Sequence, residues 1–329
     1  MQLGLDSYSY HYAAGLWEYA PQERAPLSVE DYLAKAAELN LDGIQLCDAR
    51  HLESLDDAYL GRLREKAESL GLYVELGTGG TDPEHLRSML GAAHLLGAPV
   101  VRTFVGGRRP SSPEGLADVL ATAASQLREV TPVCEQYGIP LAVENHQDFT
   151  TQELLGLLEM IGSEDWVGLC FDTGNAFALL EDPLESAREA AHAIKSLHFK
   201  DYQVAAVPEG FALIGCALGE GVIDLKGIAA FLGAEAPQAN LNIETYVGKH
   251  TIPVLSEKYQ SHLAASPTAL MTVDLPRTLD VVREKGLPAV PELPIERDAP
   301  EAEILADEDA LFRRSVRWAK KALRRGGGR

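Results

Sequence analysis

Four side chains able to hold a cation stand near the ends of four successive apolar runs. They are Glu144 in "IPLAVENH" (139–146), Asp172 in "VGLCFDTGN" (167–175), His198 in "IKSLHFKDY" (194–202) and Glu244 in "LNIETYVG" (241–248). Three carboxylates brought together repel one another and raise each other's pKa. A divalent cation removes that repulsion. Three hard oxygen donors with one imidazole suit Mn2+, Mg2+ or Co2+ better than a structural zinc, which favours Cys and His. A single acid at a strand end is commonly a helix cap or a loop hydrogen-bond partner. Four metal-capable residues on successive runs point instead to one shared ion, with Glu144, Asp172, His198 and Glu244 as its ligands.

Other polar residues share faces with this set. His146 follows Glu144 by two positions, so strand alternation puts both on one side. It is a general base or substrate contact, or else a structural histidine held by a backbone carbonyl. Lys200, two beyond His198, either holds a substrate oxygen and stabilises an enolate or pairs with a neighbouring acid such as Asp201. Tyr246 stands to Glu244 as Lys200 does to His198 and is a candidate substrate contact. Arg102 in "VVRTF" is a charge inside an apolar strand that needs a partner, either a structural acid or the substrate. Glu75 in "VELG" and Gln45 in "IQLC" are similarly placed. His11 and Trp17 follow the first run and can pack on a sugar ring. His51, His85, His94 and His192 read as surface residues.

These positions need a scaffold that gathers strand ends. Four further β-rich runs precede the four above: "QLGLDSYSY" (2–10), "DGIQLCD" (42–48), "LYVELGTG" (72–79) and "PVVRTFVGG" (99–107). Most of the eight are continuous in apolar residues, as strands buried on both faces of a parallel sheet should be. Helical patterns with start signals lie between them. Ser28 with Asp31 resembles a capping box. Asp82–Pro83, Ser112–Pro113 and Asp182–Pro183 each put a cap before a first-turn proline and a nearby glutamate. Gly71, Gly97, Gly138 and Gly162 sit where helices should stop. Eight strand–helix units over about 250 residues match a (β/α)8 TIM barrel, in which chemistry sits at the C-terminal ends of the strands. A doubly wound open sheet also alternates strand and helix. Eight regular units and the lack of a Gly-rich phosphate loop after the first strand favour the barrel and argue against a nucleotide cofactor.

The barrel core is expected over residues 1–250. Residues 251–325 form a C-terminal extension: a proline-punctuated excursion, then an amphipathic helix over 307–323 that closes the barrel from outside. The tail, 326–329, is expected to be disordered.

The 329 residues carry 29 Lys and Arg against 49 Asp and Glu, a formal charge of −20. Such a surface repels phosphate backbones and anionic lipid, so neither nucleic acid nor membrane is an expected partner. The four cysteines have no paired spacing and read as reduced thiols. The stretch "MQLGLDSYSY" lacks the basic region and long apolar core expected of a signal peptide, and no apolar run approaches the roughly 18 residues of a membrane span. The protein is expected to be cytoplasmic.

Taken in order, "AVENH", "CFDTGN", "LHFKD", "LGEG" (218–221) and "NIETY" resemble the xylose-isomerase-like TIM-barrel superfamily over residues 1 to about 250. That group includes sugar isomerases and epimerases, inosose isomerases and dehydratases, and endonuclease IV. The resemblance implies one divalent metal, Mn2+ first, with Mg2+, Co2+ or Zn2+ as alternatives, on the four ligands already named. Ketose 3-epimerases carry an arginine shortly after the strand-seven histidine and a histidine three after the strand-six aspartate. Here the first segment is "HFKDYQVA" and Asn175 occupies the second place, as a candidate substrate contact. "ENH" and the long C-terminal segment look more like the branch acting on keto-sugars or 3-oxo-glycosides, including C-glycoside deglycosidase large subunits. That branch implies His146 as base and a small β-rich partner subunit; a homo-oligomer is the alternative. The implied activity is metal-dependent isomerisation or epimerisation of a sugar through an enediolate, with Glu144, His146, Glu244 and Lys200 catalytic. The same intermediate expels a group β to the carbonyl, so a lyase acting on 3-oxo-glycosides is the alternative.

Overall fold

In a computed structural model, residues 1–15, 25–106, 112–297 and 299–326 are described. Among these residues eleven strands are formed: β1 (Leu3–Asp6), β2 (Gly43–Leu46), β3 (Tyr73–Gly77), β4 (Val101–Thr103), β5 (Leu141–Glu144), β6 (Val167–Asp172), β7 (Ile194–Phe199), β8 (Asp201–Val207), β9 (Gly210–Cys216), β10 (Asn240–Ile243) and β11 (Lys249–Ile252). Eight close into a barrel in the order β1-β10-β7-β6-β5-β4-β3-β2. Every pair in that ring is parallel. The TIM-barrel expectation is met.

The local signals act as read. Ser28 and Asp31 form a reciprocal capping box. Asp82, Ser112 and Asp182 cap helices that open on proline. Gly71, Gly97, Gly138 and Gly162 end four helices with φ between 68° and 75°, where a Cβ would be strained.

Three expectations about extent are corrected. The strands are shorter than the β-rich runs. The run 2–10 is a strand only to Asp6, because the Asp6 carboxylate takes the Tyr8 N–H at 2.7 Å and bends Ser7–Tyr10 into a 3-10 turn. The run 194–202 is two strands, broken at Lys200. From Asp201 the chain enters a hairpin, β8–β9, and β11 joins it to make a three-stranded antiparallel sheet beside the barrel. The turn at Pro208–Glu209 reverses the chain, so no helix follows β7 until Leu225–Glu235. Finally, the closing helix is Glu301–Gly326, six residues earlier than expected, with Glu301 and Glu303 in its first turn. Residues 327–329 of the expected tail lie outside the described residues.

That last helix bears on the barrel mouth. Phe312 is fully buried, its ring 5.2 Å from that of Tyr10. Glu308, also fully buried, accepts the N–H groups of Tyr12 (2.8 Å) and Ala13 (3.0 Å) and so fastens the segment after β1. Among the described residues, no helix is long and apolar enough to cross a membrane.

Candidate metal centre and cavity

β5, β6 and β7 lie side by side, with Glu144 opposite Cys170 and Asp172 opposite His198. Glu244 is the residue after β10, and its N–H extends the ladder to Phe199 O at 3.0 Å. The ring order therefore brings four chain-distant side chains to one rim. Each offers a ligand atom, and these atoms all lie within 4.8 Å of one another. His198 Nδ1 is 2.9 Å from Glu244, 3.6 Å from Glu144 and 3.7 Å from Asp172. All four residues are buried. Cys170, two before Asp172 on the same face of β6, is also within reach of Glu144 and His198.

Amide side chains aim the carboxylates. Asn145 donates to Asp172 O (3.0 Å) and accepts the Asp172 N–H (2.7 Å), clasping the ends of β5 and β6. Asn175 donates its amide to Glu144 at 2.9 Å, and its backbone N–H to Asp172 at 2.7 Å. Gln45 Oε1 is 2.6 Å from His198 Nε2, which turns Nδ1 toward the three acids.

Two cations complete the cluster. Arg102 makes a paired contact with Glu144 and donates to the carbonyls of Thr78 (3.1 Å) and Cys47 (3.3 Å). Lys200 lies 3.2 Å from Asp172 and contacts Glu244. Asp201 is not its partner: the Asp201 carboxylate faces away and accepts backbone N–H groups from Gly219, Gly221 and Ile223. Burial pushes the Glu144 carboxyl up, but the Arg102 guanidinium and His198 ring hold it well below the usual carboxylate range. Burial likewise opposes ionisation of Glu244, and Lys200 and His198 still hold it at about 2. Burial works against a charge on His198, yet neighbouring groups, Glu144 among them, raise its pKa well above the ordinary value.

The arrangement fits a divalent ion. Asp172 Oδ2 is buried with the Lys200 ammonium 3.2 Å away and no neutral donor, and His198 Nδ1 faces oxygens of all three acids, Glu244 at 2.9 Å. Such atoms in a nearly dry site cost free energy unless something positive meets them. Hard oxygens and one ring nitrogen are the donor chemistry of a divalent metal.

Above the cluster opens a cavity of about 470 Å³. Lys200, Glu244, Arg102, Asn175, Tyr246 and His146 line it, together with Tyr8, Tyr202 and His250. His146 is exposed, its ring stacked on Phe104 at 4.2 Å. β5 stops at Glu144, so the alternation meant to align Glu144 with His146 does not reach the histidine; both still serve the same mouth. His11 stands behind this wall, stacked on Tyr8 (5.0 Å) and near Tyr246 (5.5 Å), with Nδ1 3.1 Å from Tyr8 O. Trp17 lies outside the described residues. His51 is not a surface residue. The Asp48-capped turn Ala49–His51 folds its ring inward, 2.9 Å from Ser7 Oγ and 5.2 Å from the Tyr32 ring.

Sequence reasoning missed several groups. Asp6 is fully buried, 3.6 Å from His198 Nε2, and burial pushes its carboxyl up to about 7. Its signal was available: an acid ending an apolar run, as in the four ligands. Tyr202 and His250 belong to the hairpin sheet that the strand–helix rhythm concealed.

Residues 33–263 match the family model described as xylose isomerase-like TIM barrel. The 3-oxo-isoapionate decarboxylase of Pectobacterium atrosepticum is 33% identical over 232 residues, covering 69% of this chain and 79% of that protein. Among solved structures, a D-psicose 3-epimerase with D-fructose superposes with a TM-score of 0.64 at 16% identity, over 99% of this chain and all of that one. A zinc-containing IolI protein gives 0.57 at 16% identity, over 87% and 99% of the two chains. At these identities the structural likeness establishes the fold alone. With its eight-stranded parallel barrel and a match over most of its length, the chain belongs to the xylose isomerase-like TIM-barrel family.

Proposed function

We propose that the protein is a divalent-metal-dependent enzyme, Mn2+ being the first choice, that forms an enediolate from a small keto-sugar acid. The bond between the carboxylate and the carbon beside the carbonyl breaks, CO2 leaves, and the bonding pair stays behind as the enediolate. A keto-sugar acid that loses CO2 is the substrate class. The observation that carries this reading is the convergence of Glu144, Asp172, His198 and Glu244, with ligand atoms within 4.8 Å of one another and Glu244 opening onto the cavity. A bound divalent cation supplies a Lewis acid for negative charge developing on a substrate oxygen.

The chain's own residues distinguish two routes to that charge. Taking a proton from carbon needs an unengaged base, and of Glu144, Glu244 and His146 only the His146 ring is not held by a cation. Glu144 is engaged by Arg102, and Glu244 by Lys200. Breaking a carbon–carboxylate bond needs no base at the start, only positive charge near the carbonyl and a proton donor afterwards. Lys200 on the cavity wall provides the first, and the exposed His146 ring is placed for the second. Tyr8, Tyr202 and Tyr246 give the cavity aromatic walls against which a sugar's carbon face can rest. Similarity to a relative named as a 3-oxo acid decarboxylase supports the same direction.

One observation favours a second reading, isomerisation or epimerisation of a neutral ketose. Of the four ligands, Glu244 is the one on the cavity wall, where it can reach a substrate C–H. The test is to incubate Mn2+-loaded protein in D2O with 3-oxo sugar acids, 3-oxo-glucosides and neutral ketoses, following products by NMR. CO2 release with one deuterium at the former carboxylate-bearing carbon is the expected result. Deuterium exchange into neutral ketoses without CO2 release would replace it with the second reading. No turnover of any substrate by the loaded protein would overturn both.

A further inference from the structure

Below the metal ligands a second polar chain runs through the barrel interior. Glu75, midway along β3, is fully buried. It accepts hydrogen bonds from Gln45 Nε2 (2.6 Å), Ser196 Oγ (2.8 Å), Asn240 Nδ2 (2.8 Å) and Asn242 Nδ2 (2.9 Å). A carboxylate ringed by donors acts as acceptor alone, so it dictates which end of the Gln45 amide faces it. The NH2 turns to Glu75, and Gln45 Oε1 is thereby presented to His198 Nε2 at 2.6 Å. An amide oxygen accepts and never donates, so the imidazole keeps its proton on Nε2. Nδ1 is then the nitrogen left for a cation, and it is the one facing Glu144, Asp172 and Glu244.

We infer that Gln45 and Glu75 are positioning residues that preset the metal-binding nitrogen of His198: Glu75 orients the Gln45 amide, and the amide holds the ring with Nε2–H inward and Nδ1 toward the ion. This rests on the metal reading of the site. A purely structural role, fastening β3 to β2, β7 and β10, would account for the four donors around Glu75. It would not require the amide to run in one direction from the carboxylate to the imidazole.

The direction can be measured. Protein labelled with 15N-histidine and loaded with 113Cd2+ should show cadmium coupling at His198 Nδ1 and a proton on Nε2. Glu75→Gln frees the amide to turn over, and Gln45→Leu removes it; each should weaken Mn2+ binding by about 10–100-fold in calorimetry, the usual cost of losing an outer partner of a metal ligand. The exchange Gln45→Glu with Glu75→Gln keeps one carboxylate and one amide in the chain, and should return affinity to within about threefold of the parent. Cadmium coupling at Nε2, or full affinity in both single variants, would overturn the inference while leaving the metal site intact. A parent protein that binds neither ion would instead remove the metal reading, and the inference with it. Should Glu75→Gln fail to fold, the parent spectrum and Gln45→Leu decide the matter.

Discussion

Two groups of buried carboxylates lie in this molecule and are treated in opposite ways. Glu75 is surrounded by four neutral donors, and Asp201 takes backbone N–H groups from the "LGEG" loop. Glu181 receives the N–H and hydroxyl of Thr151, and Glu308 the N–H groups of Tyr12 and Ala13. Each is saturated by the protein. At the barrel mouth three acids crowd one imidazole, and charged side chains, Arg102, Lys200 and His198, face them. A buried acid satisfied by neutral donors fastens structure, whereas acids and an imidazole gathered at one point among charged partners are a place for a cation to bind.

The contrast can be broken or sharpened by substitution. Asp172→Asn should lower Mn2+ affinity by more than about 100-fold, because losing a direct ligand exceeds the 10–100-fold cost of an outer one; calorimetry reads it, and an unchanged affinity would erase the distinction. Asp201→Ala should do the reverse. Metal binding should persist, while urea unfolding shows a loss of about 2–3 kcal/mol from stranded loop N–H groups. His146→Ala should retain the ion but lower kcat by about 100-fold, the low end for general acid–base catalysis. The last effect concerns pH. Burial pushes the Glu181 carboxyl from 4.5 up to about 8, so the folded state holds a proton that the unfolded state releases. Its contribution is full below pH 4.5 and is lost as pH rises through about 8. Glu181→Gln should therefore flatten stability across that window, removing a slope of up to about 1.4 kcal/mol per pH unit, measured by denaturation at several pH values.

Much of this contrast was legible as residue types. Acids at the ends of apolar runs and the order of the runs led to the mouth, and glycine and proline punctuation led to the barrel. Alternation tells which face a side chain takes, but not its depth. Glu75 and Glu144 both read as acids on strands, yet one lies in the interior network and the other at the rim. Nor does composition tell where a ladder stops: "SYSY" is as β-rich as the residues before it, and only the Asp6 side chain ends the strand. Partnerships across the ring were equally hidden. Lys200 is adjacent in sequence to Asp201, but β8 carries that acid to the loop, and the ammonium meets Asp172 and Glu244 instead. The hairpin escaped notice because eight strand–helix units already accounted for the pattern.

Anomalous diffraction from crystals grown with Mn2+ shows whether Glu144, Asp172, His198 and Glu244 share one ion. One peak per chain is expected at the barrel mouth, about 2.0–2.3 Å from His198 Nδ1 and from an oxygen of each acid. No peak among these four side chains, with Arg102 and Lys200 still holding Glu144 and Glu244, would contradict it.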